Sequence, residues 1–558
     1  MGPDRWWQTL WPLPVAMHGH RLVHEARRRL QGPLLRQWAA RCQRAGHVRA
    51  AHARPGALAA LGRALADAPR LPDVAGELDF VGWRAPLPVV DWRLPGARPL
   101  QVYTAHALDW AEALAAGVAR DRNGPHANWL SASLSAWCVQ APVLPKAWEP
   151  YVRARRILAC LRAAARLPDH PLRPTLLAVA AAAAADLDLM LEGHLRGNHL
   201  LADWLGLAAA EAAFGGDGRA QRALLAEWDR QSAADGAHVE CSAMYHAQLT
   251  EDLLAVAALG EPGGALAGRA RRSIGWLAAV RHPDGQVPSF GDSDPDALAA
   301  LVLTQSALRT ATPTATDPTA SAWTARGAGG HFVVVHTAPA ACVEQPGHAH
   351  DDALALEWSY GGARVLADAG LGGYEGDPHR ALNRSAASHS TVQVPGRPGL
   401  DLWGAFRVGA RGEVRAVRAG MADGWQWVAG RFCWPDGRLG HRRLVALGPS
   451  GQLALADAVD GPDAAAAEAI GRLIAAPGVT LAPGSARLPD GHSVTLAATG
   501  ALHVGEGVRF AQRSAVGLGP ELRYPVGRRP IWLCLGSEPN DLDRARTVLE
   551  DVWAAGET

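Results

Sequence analysis

The feature that most constrains the fold is a change in the spacing of apolar residues in the second half of the chain. Between about residues 100 and 310, apolar residues recur every three or four positions in segments such as AWEPYVRARRILACLRAAARL and NHLLADWLGLAAAEAAF, which predicts amphipathic helices. After residue 330 they alternate with polar residues in short segments such as HFVVVHTA and HRRLVALG, which predicts strands. The chain is therefore predicted to be helical first and antiparallel sheet afterwards.

The boundary between these two parts is predicted in RTATPTATDPTASAWTARGAGG, residues 309–330, which is rich in Thr, Ala, Pro and Gly. A chain of 558 residues is long enough for two or three domains. We predict an N-terminal helical and irregular segment (1–95), a helical domain (96–312) and an antiparallel sheet domain (326–558). Successive helices with short loops fit a bundle, a solenoid or a closed toroid, and the pattern alone does not choose among them.

Composition excludes several classes of function. The net charge is +1, from 55 basic and 54 acidic residues, so no nucleic-acid partner is expected. No uninterrupted apolar stretch of about 18 residues occurs, so no membrane span is predicted. The first residues lack the pattern of a secretory signal, which favours the cytoplasm. Seven scattered cysteines without a CxxC pair argue against a disulfide framework. The oligomeric state is not predicted.

The stretch QPGHAHDDALALEWSYGGARVLADAG, residues 345–370, concentrates ionisable groups beside a predicted strand. If the strand included them, His348, His350 and Asp352 would share one face. His350, Asp368 and His389 supply two imidazoles and a carboxylate, a donor set that suits zinc. Scattered histidines on a surface strand are the alternative.

Two helical stretches carry further candidate residues. In RGNHLLADW, Asn198 and His199 begin a predicted helix, where an asparagine is also a common cap and a histidine often belongs to the core. In DGAHVECSAMYHAQLTED, Tyr245 and His246 diverge by about 100° on a helix, and Glu240 lies just over one turn earlier. Each stretch alone is compatible with a structural role. Neither a phosphate-binding loop nor a nucleophile elbow is found.

Together these stretches resemble the heparinase II/III-like polysaccharide lyases, particularly members from exopolysaccharide gene clusters. The resemblance spans about residues 100–400 and also includes HPDGQVPSFGDS, NRSAASHSTVQVPGR and LQVYTAHALDW. It implies an incomplete α/α toroid followed by an antiparallel, β-sandwich-like sheet domain, with a groove between them. It also implies β-elimination on a uronic-acid-containing polysaccharide.

The resemblance assigns roles residue by residue. Asn198 is expected to hydrogen-bond the uronate carboxylate, and His199 to neutralise it or act as a base. Tyr245 is expected to be the acid, and for some sugar epimers also the base, while His348 completes the neutralising site. Expected substrate-binding residues are Glu240, His246, Tyr374 and Arg384. The expected metal is a structural zinc held by His350, Asp368 and His389.

Departures from the family pattern concern substrate binding more than the fold. Asp351 and Cys241 replace residue types common in the family, and the helix after Asn198 lacks a usual lysine. Three other functions remain open: a glycoside hydrolase using a carboxylate pair such as Glu240 and Asp235, a non-catalytic polysaccharide-binding or assembly protein, and a metal-dependent hydrolase. Because polysaccharide lyases generally meet their substrate outside the cytoplasm, the periplasm is the alternative location.

Overall fold

The computed structural model describes residues 3–11, 13–71, 73–260, 263–339, 342–376, 378–511 and 515–556. The part before residue 309 is mainly helical, with one short hairpin. Its helices are α1 (Pro3–Leu10), α2 (Val15–Ala50), α3 (Pro55–Ala66), α4 (Pro99–Ala107), α5 (Asp109–Arg120), α6 (His126–Gln140), α7 (Pro150–Arg166), α8 (Arg173–Ala184), α9 (Gly197–Phe214), α10 (Arg219–Arg230), α11 (Ala243–Leu259), α12 (Ala265–Val280) and α13 (Val302–Leu308). The hairpin joins β1 (Glu77–Phe80) and β2 (Trp83–Pro86).

Helix α7 lies at the centre of the helical domain, with α5, α8 and α9 packed around it. Small residues allow this close approach, because a Cβ on Gly206 of α9 would lie 2.9 Å from the Ala154 backbone. The buried arginine Arg162 on α7 is paired, its Nε with Glu112 at 2.8 Å and its Nη1 with Asp252 at 3.0 Å. Pairing is what allows such charges to be buried.

The second part is built from antiparallel strands. In chain order they are β3 (Trp323–Gly327), β4 (His331–Val335), β5 (Leu356–Tyr360), β6 (Ala363–Leu366), β7 (Val392–Gln393), β8 (Leu400–Trp403), β9 (Arg407–Arg411), β10 (Glu413–Ala422), β11 (Trp425–Cys433), β12 (Gly440–Leu447), β13 (Leu453–Asp460), β14 (Ala469–Ile474), β15 (Thr480–Ala482), β16 (Ser485–Arg487), β17 (Ser493–Ala498), β18 (His503–Ala511), β19 (Ala515–Val526) and β20 (Ile531–Gly536). Two helices, α14 (Pro378–Arg384) and α15 (Asp541–Ala554), accompany them.

These strands form a layered structure over one apolar core. The largest sheet has the order β10-β11-β12-β13-β20-β17-β16-β15, and two four-stranded sheets have the orders β18-β19-β14-β7 and β3-β4-β5-β6. Strands β8 and β9 form a separate hairpin. A buried cluster including Trp358, Val445 and Leu455 fills the space between the sheets, while α15 covers the outer face of the large sheet.

The helical and sheet domains share an apolar interface. Ile274 and Leu277 from α12 belong to one buried cluster with Phe332 and Val334 from β4. This interface holds the ends of α9 and α11 against the loops of the sheet domain. The predicted fold class, a helical toroid followed by an antiparallel sheet domain, is confirmed. Among the described residues, no helix is both long enough and apolar enough to cross a membrane.

Candidate active site at the domain junction

The N-terminus of α9 places Asn198 at the domain junction. Arg196 and Gly197 both have positive φ angles, 51° and 54°, so the chain turns sharply before the helix begins. The Asn198 backbone N–H donates to Glu240 Oε1 at 2.6 Å. Its side-chain Oδ1 is buried and lacks a hydrogen-bond partner. Asn198 is therefore not the cap of α9, whose N-cap residue is Arg196.

A buried carboxylate favours the cationic form of His199. Its Nδ1 lies 3.1 Å from Glu192 Oε2, and its ring packs against Tyr151 with centroids 4.5 Å apart. Burial alone would lower the pKa of His199, but the Glu192 carboxylate outweighs burial and raises this pKa above its ordinary value. With 30% of its side chain exposed, His199 can meet an anion from solvent.

Tyr245 on α11 meets two residues of the sheet domain. Its hydroxyl donates to the Tyr374 hydroxyl at 3.0 Å, and its ring stacks on the His348 imidazole with centroids 3.9 Å apart and planes within 6°. Burial, reinforced by Tyr374 and Asp292, raises the pKa of Tyr245 well above its ordinary value. Tyr245 is therefore a protonated donor in this environment, suited to an acid rather than a resting phenolate.

Glu240 joins both domains at this site. Its Oε2 lies 2.5 Å from His348 Nδ1, while its Oε1 holds the start of α9. Burial would raise the pKa of Glu240, but the neighbouring His348 lowers it below its ordinary value. The carboxylate is thus ionised and holds His348 through Nδ1. The other ring nitrogen of His348, Nε2, does not contact Glu240. Glu240 thus contacts both Asn198 and His348, and its role in substrate binding stays a prediction.

A buried ion pair braces the loop that carries His348. Arg380 Nη2 donates to Asp292 Oδ2 at 2.8 Å and to the Gly347 carbonyl at 3.2 Å. Asp292 Oδ1 also lies 2.8 Å from His350 Nε2. Asp292 lies between α12 and α13, and its carbonyl accepts from Ser242 Oγ, at the N-terminus of α11, at 2.7 Å. The pair therefore fixes the sheet-domain loop relative to α11.

The residues predicted to bind zinc lie in two adjacent buried pairs. His350 contacts Asp292, and His389 Nδ1 lies 2.7 Å from Asp368 Oδ2. The two imidazole centroids are 5.2 Å apart. Within the described residues no three His, Cys, Asp or Glu side chains form a ready metal-binding group. However, His350 Nδ1 and His389 Nε2 are both buried without a hydrogen-bond partner, so the available donors are of the type that zinc prefers.

The local structure of this region differs from the strand that was expected. The HxH segment is not part of a strand: His348 ends a short 3-10 turn, and β5 begins only at Leu356. His348 and His350 therefore diverge, because Pro346 and Gly347 turn the chain. Asp352 departs from them too, since its Oδ1 lies 3.2 Å from His336 Nδ1.

His246 and Arg384, two predicted substrate contacts, are both buried. His246 is 2% exposed, its Nε2 lies 3.0 Å from the Ser273 carbonyl, and burial lowers its pKa to about 3. It points into the helical core because it follows Tyr245 by one position on α11. Arg384 is 1% exposed and donates to the Ala349 and Ala405 carbonyls at 3.1 and 3.3 Å.

The carboxylate pair considered for a hydrolase is not formed. Asp235 Oδ2 accepts hydrogen bonds from Ser321 Oγ at 2.6 Å and from the Asp317 backbone at 2.9 Å. It therefore stabilises the segment that joins the two domains, while Glu240 serves Asn198 and His348.

Sequence reasoning missed several residues that shape the site. Glu192 and Tyr151 position His199, and Asp292 and Arg380 position the His348 loop. Asp292 lies in HPDGQVPSFGDS, a segment that contributes to the family resemblance but contains no predicted site residue. The other three had no distinguishing pattern, because their importance comes from contacts across the fold.

Gly197→Ala is expected to impair both stability and the site. A Cβ there would lie 1.9 Å from Glu240 Oε1, and a positive φ is unfavourable for alanine. We expect a loss of about 2 kcal/mol in the free energy of unfolding. Denaturant unfolding measures it. The matched control is Gly268→Ala within α12, where the nearest side-chain atom is 3.9 Å away and a gain of up to about 1 kcal/mol is expected. Equal stability of Gly197→Ala and wild type would contradict the geometry.

The fold and the site place this chain among two-domain proteins with a helical toroid, a following sheet domain and a polar site between them. Solved structures with this architecture match it along most of their length. One described as heparinase III has a TM-score of 0.60 at 14% identity, covering 88% of this chain and 86% of its own. The heparan sulfate lyase HepC from Pedobacter heparinus has a TM-score of 0.52 at 16% identity, covering 86% and 82%.

A third structure, a heparinase III gene product, has a TM-score of 0.56 at 15% identity and covers 80% of both chains. At these identities the likeness establishes the fold. No curated protein sequence matches the chain. Residues 313–529 match the family model described as heparinase II/III-like, C-terminal. The sheet domain therefore matches the heparinase II/III-like family over residues 313–529, in agreement with the resemblance found in the sequence.

Proposed function

We propose that this protein is a polysaccharide lyase that cleaves a uronic-acid-containing polysaccharide by β-elimination. The observation that carries the proposal is the grouping of a neutral tyrosine, Tyr245, with His348, and of a cationic histidine, His199, with the buried amide of Asn198. The family match and the heparinase-like fold support the same class of reaction. Such a group supplies each chemical element that elimination requires.

The first requirement is to neutralise the uronate carboxylate, because its charge opposes removal of the C5 proton. The Asn198 side chain and the charged His199 are proposed to bind this carboxylate. Stabilising the negative charge that develops on it lowers the barrier most when the donors are already fixed. Glu240 fixes Asn198 through its backbone, and Glu192 fixes His199.

The second requirement is proton transfer. His348 Nε2 is proposed to take the C5 proton, since Nδ1 is held by Glu240. The C4–O bond then breaks, C4 and C5 become doubly bonded, and the Tyr245 O–H protonates the leaving glycosidic oxygen. Tyr374, within hydrogen-bond distance of Tyr245, is proposed to orient that hydroxyl. The phenolate left on Tyr245 then regains the proton carried by His348.

Activity is expected to fall at alkaline pH, because His199 must be charged. Its charged form is required, and its raised pKa keeps it charged above the ordinary histidine range near 6.5. The value of kcat/KM should therefore fall as pH rises through this raised pKa. Glu192→Gln removes the carboxylate that raises the pKa, so the alkaline limb should move to lower pH. A pH profile of both proteins measures the shift, and an unmoved alkaline limb in Glu192→Gln would exclude His199 as its origin.

A structural zinc is proposed at His350, Asp368 and His389, on the basis of the two partnerless imidazole nitrogens. When bound, zinc would cross-link the loop that carries His348 to the segment before β7, a supporting role in which the ligands matter indirectly. We expect about one zinc per chain in the wild type. His389→Ala should lose it and unfold at a lower temperature, whereas the exposed His503→Ala should do neither. Elemental analysis showing no zinc in the wild type would contradict the site.

Ultraviolet absorbance distinguishes this function from hydrolysis. Elimination leaves a conjugated double bond in the new terminal uronate, so each cut should give both an absorbing product and a new reducing end. Reducing ends that appear without absorbance would replace the lyase with a hydrolase.

A further inference from the structure

We infer that α1 and the start of α2 form a strap across one side of the domain junction, and that the strap makes the enzyme cut its polymer from a chain end. The inference rests on the proposed lyase function and adds its mode of attack. A groove open at both ends accepts the interior of a polymer, whereas a groove closed at one end accepts only a terminus.

One end of the strap is fixed to the sheet domain. Thr9 Oγ1 accepts from Trp403 Nε1 at 3.1 Å and lies 3.1 Å from the Val408 carbonyl, so α1 is anchored on the β8–β9 hairpin. Arg5 Nη2 also lies 2.8 Å from Asp401 Oδ1. These contacts join residues almost 400 positions apart in sequence.

This hairpin is part of the wall of the candidate site. Phe406, between β8 and β9, stacks on Tyr374 with ring centroids 6.0 Å apart. The neighbouring Ala405 carbonyl accepts from Arg380 Nε at 3.0 Å, and Arg380 braces the loop that carries His348. The hairpin that anchors the strap therefore contacts Tyr374, the partner of Tyr245, through Phe406.

The other end of the strap lies on the helical wall. The His24 ring on α2 packs on the His194 ring with centroids 4.0 Å apart, and a Cβ on Gly193 would lie 3.2 Å from the His20 ring. The adjoining residue, Glu192, holds His199. The helical anchor is therefore also adjacent to a residue of the candidate site.

Between these anchors, the described residues include the end of α1, Leu13, Pro14 and the first turns of α2. An α-helix rises about 1.5 Å per residue, so Val15 to His24 adds roughly 14 Å of rigid rod. The strap therefore joins the β8–β9 hairpin to the Gly193–His194 segment. His20 and His24 lie against that segment and, with Arg21, give the strap basic or ionisable groups, as suits the end of an acidic sugar chain.

A second surface near His199 has a different character. Lys146 is 45% exposed and pairs with Glu149 at 3.2 Å, it lies 2.5 Å from the Tyr103 hydroxyl, and the Tyr151 ring adjoins His199. An exposed cation beside aromatic rings is a surface on which the rest of an acidic polysaccharide can lie. In this arrangement the end of the polysaccharide binds next to the strap, and the rest of the chain lies along the surface that carries Lys146.

The test compares product sizes and binding stoichiometry. Wild-type protein acting on heparan sulfate, hyaluronan, alginate and glucuronan should release small unsaturated products from the start while the viscosity of the cleaved polymer falls slowly. The double variant Arg5→Ala, Thr9→Val releases α1 from the hairpin. It should make about fivefold more internal cuts per double bond formed, the population change expected from losing one net hydrogen bond.

The control is Arg546→Ala, Thr547→Val on α15, which removes a similar exposed ion pair and a similar hydroxyl bond to the i−4 carbonyl far from the junction. It should behave as the wild type. Wild-type protein that cuts internally from the start, or a released variant with an unchanged product pattern, would overturn the inference while leaving the lyase function intact.

A binding measurement tests the strap inference independently of catalysis. With Tyr245→Phe and size-fractionated chains of the same four polymers, end binding predicts one protein per chain whatever its length. Stoichiometry that grows with chain length would overturn the strap inference, even if no polymer is cleaved. Absence of binding to all four polymers would overturn both the strap inference and its basis in the proposed function for these substrates.

Discussion

Tyr245→Phe is expected to lower kcat by about 10²–10⁴-fold, the usual contribution of a general acid. The substitution removes the hydroxyl that lies 3.0 Å from the Tyr374 hydroxyl, while the ring can still stack on His348. Because no large apolar group is lost, the thermal midpoint should barely change. Steady-state kinetics and thermal unfolding of the same preparation measure the two effects.

The matched control is Tyr360→Phe in β5, which removes a tyrosine hydroxyl away from the junction. It should retain wild-type kcat. A well-folded Tyr245→Phe protein with full turnover would exclude Tyr245 as the acid. A large fall in the thermal midpoint would instead show that its hydroxyl serves mainly to hold the domains together.

Glu240→Gln is expected to lower kcat by about 10²–10⁴-fold, as when the carboxylate that orients a catalytic histidine becomes an amide. The amide oxygen can still accept from the Asn198 backbone, so α9 should keep its position. The amide cannot, however, favour the same tautomer of His348. KM should change little, because Asn198 and His199 still bind the uronate.

Glu413→Gln on β10 is the control, since this exposed carboxylate pairs with Arg415 at the surface. Its kinetics should match the wild type. If Glu240→Gln raised KM with kcat unchanged, Glu240 would be a substrate contact after all, and the assignment of His348 as the base would fail.

The sequence predicted the fold because apolar spacing reports directly on which faces are buried. The alternation in HRRLVALG corresponds to β12, and the three- and four-residue spacing in NHLLADWLGLAAAEAAF corresponds to α9. The resemblance chose the toroid among the helical arrangements that spacing leaves open. It also singled out Asn198, His199, Tyr245, His348 and Tyr374, which the structure brings to one junction.

The remaining parts of the site depend on contacts that spacing does not encode. Glu192 orients His199 from a loop seven residues earlier, and Arg380 reaches Asp292 across 88 positions. His246 lies in the helical core although Tyr245 faces the junction, because adjacent residues diverge by about 100° on a helix. His348 and His350 do not share one face, because the strand begins only at Leu356 and side chains two residues apart lie on the same face only within a strand.

The most direct test is the ultraviolet absorbance of purified protein mixed with heparan sulfate, alginate, hyaluronan, glucuronan and an acidic exopolysaccharide. The proposed function predicts a steady rise with at least one polymer, matched by new reducing ends and lost in Tyr245→Phe. Such a result would also identify the class of substrate. Reducing ends without absorbance, or an absorbance rise that Tyr245→Phe retains in full, would contradict elimination at this site.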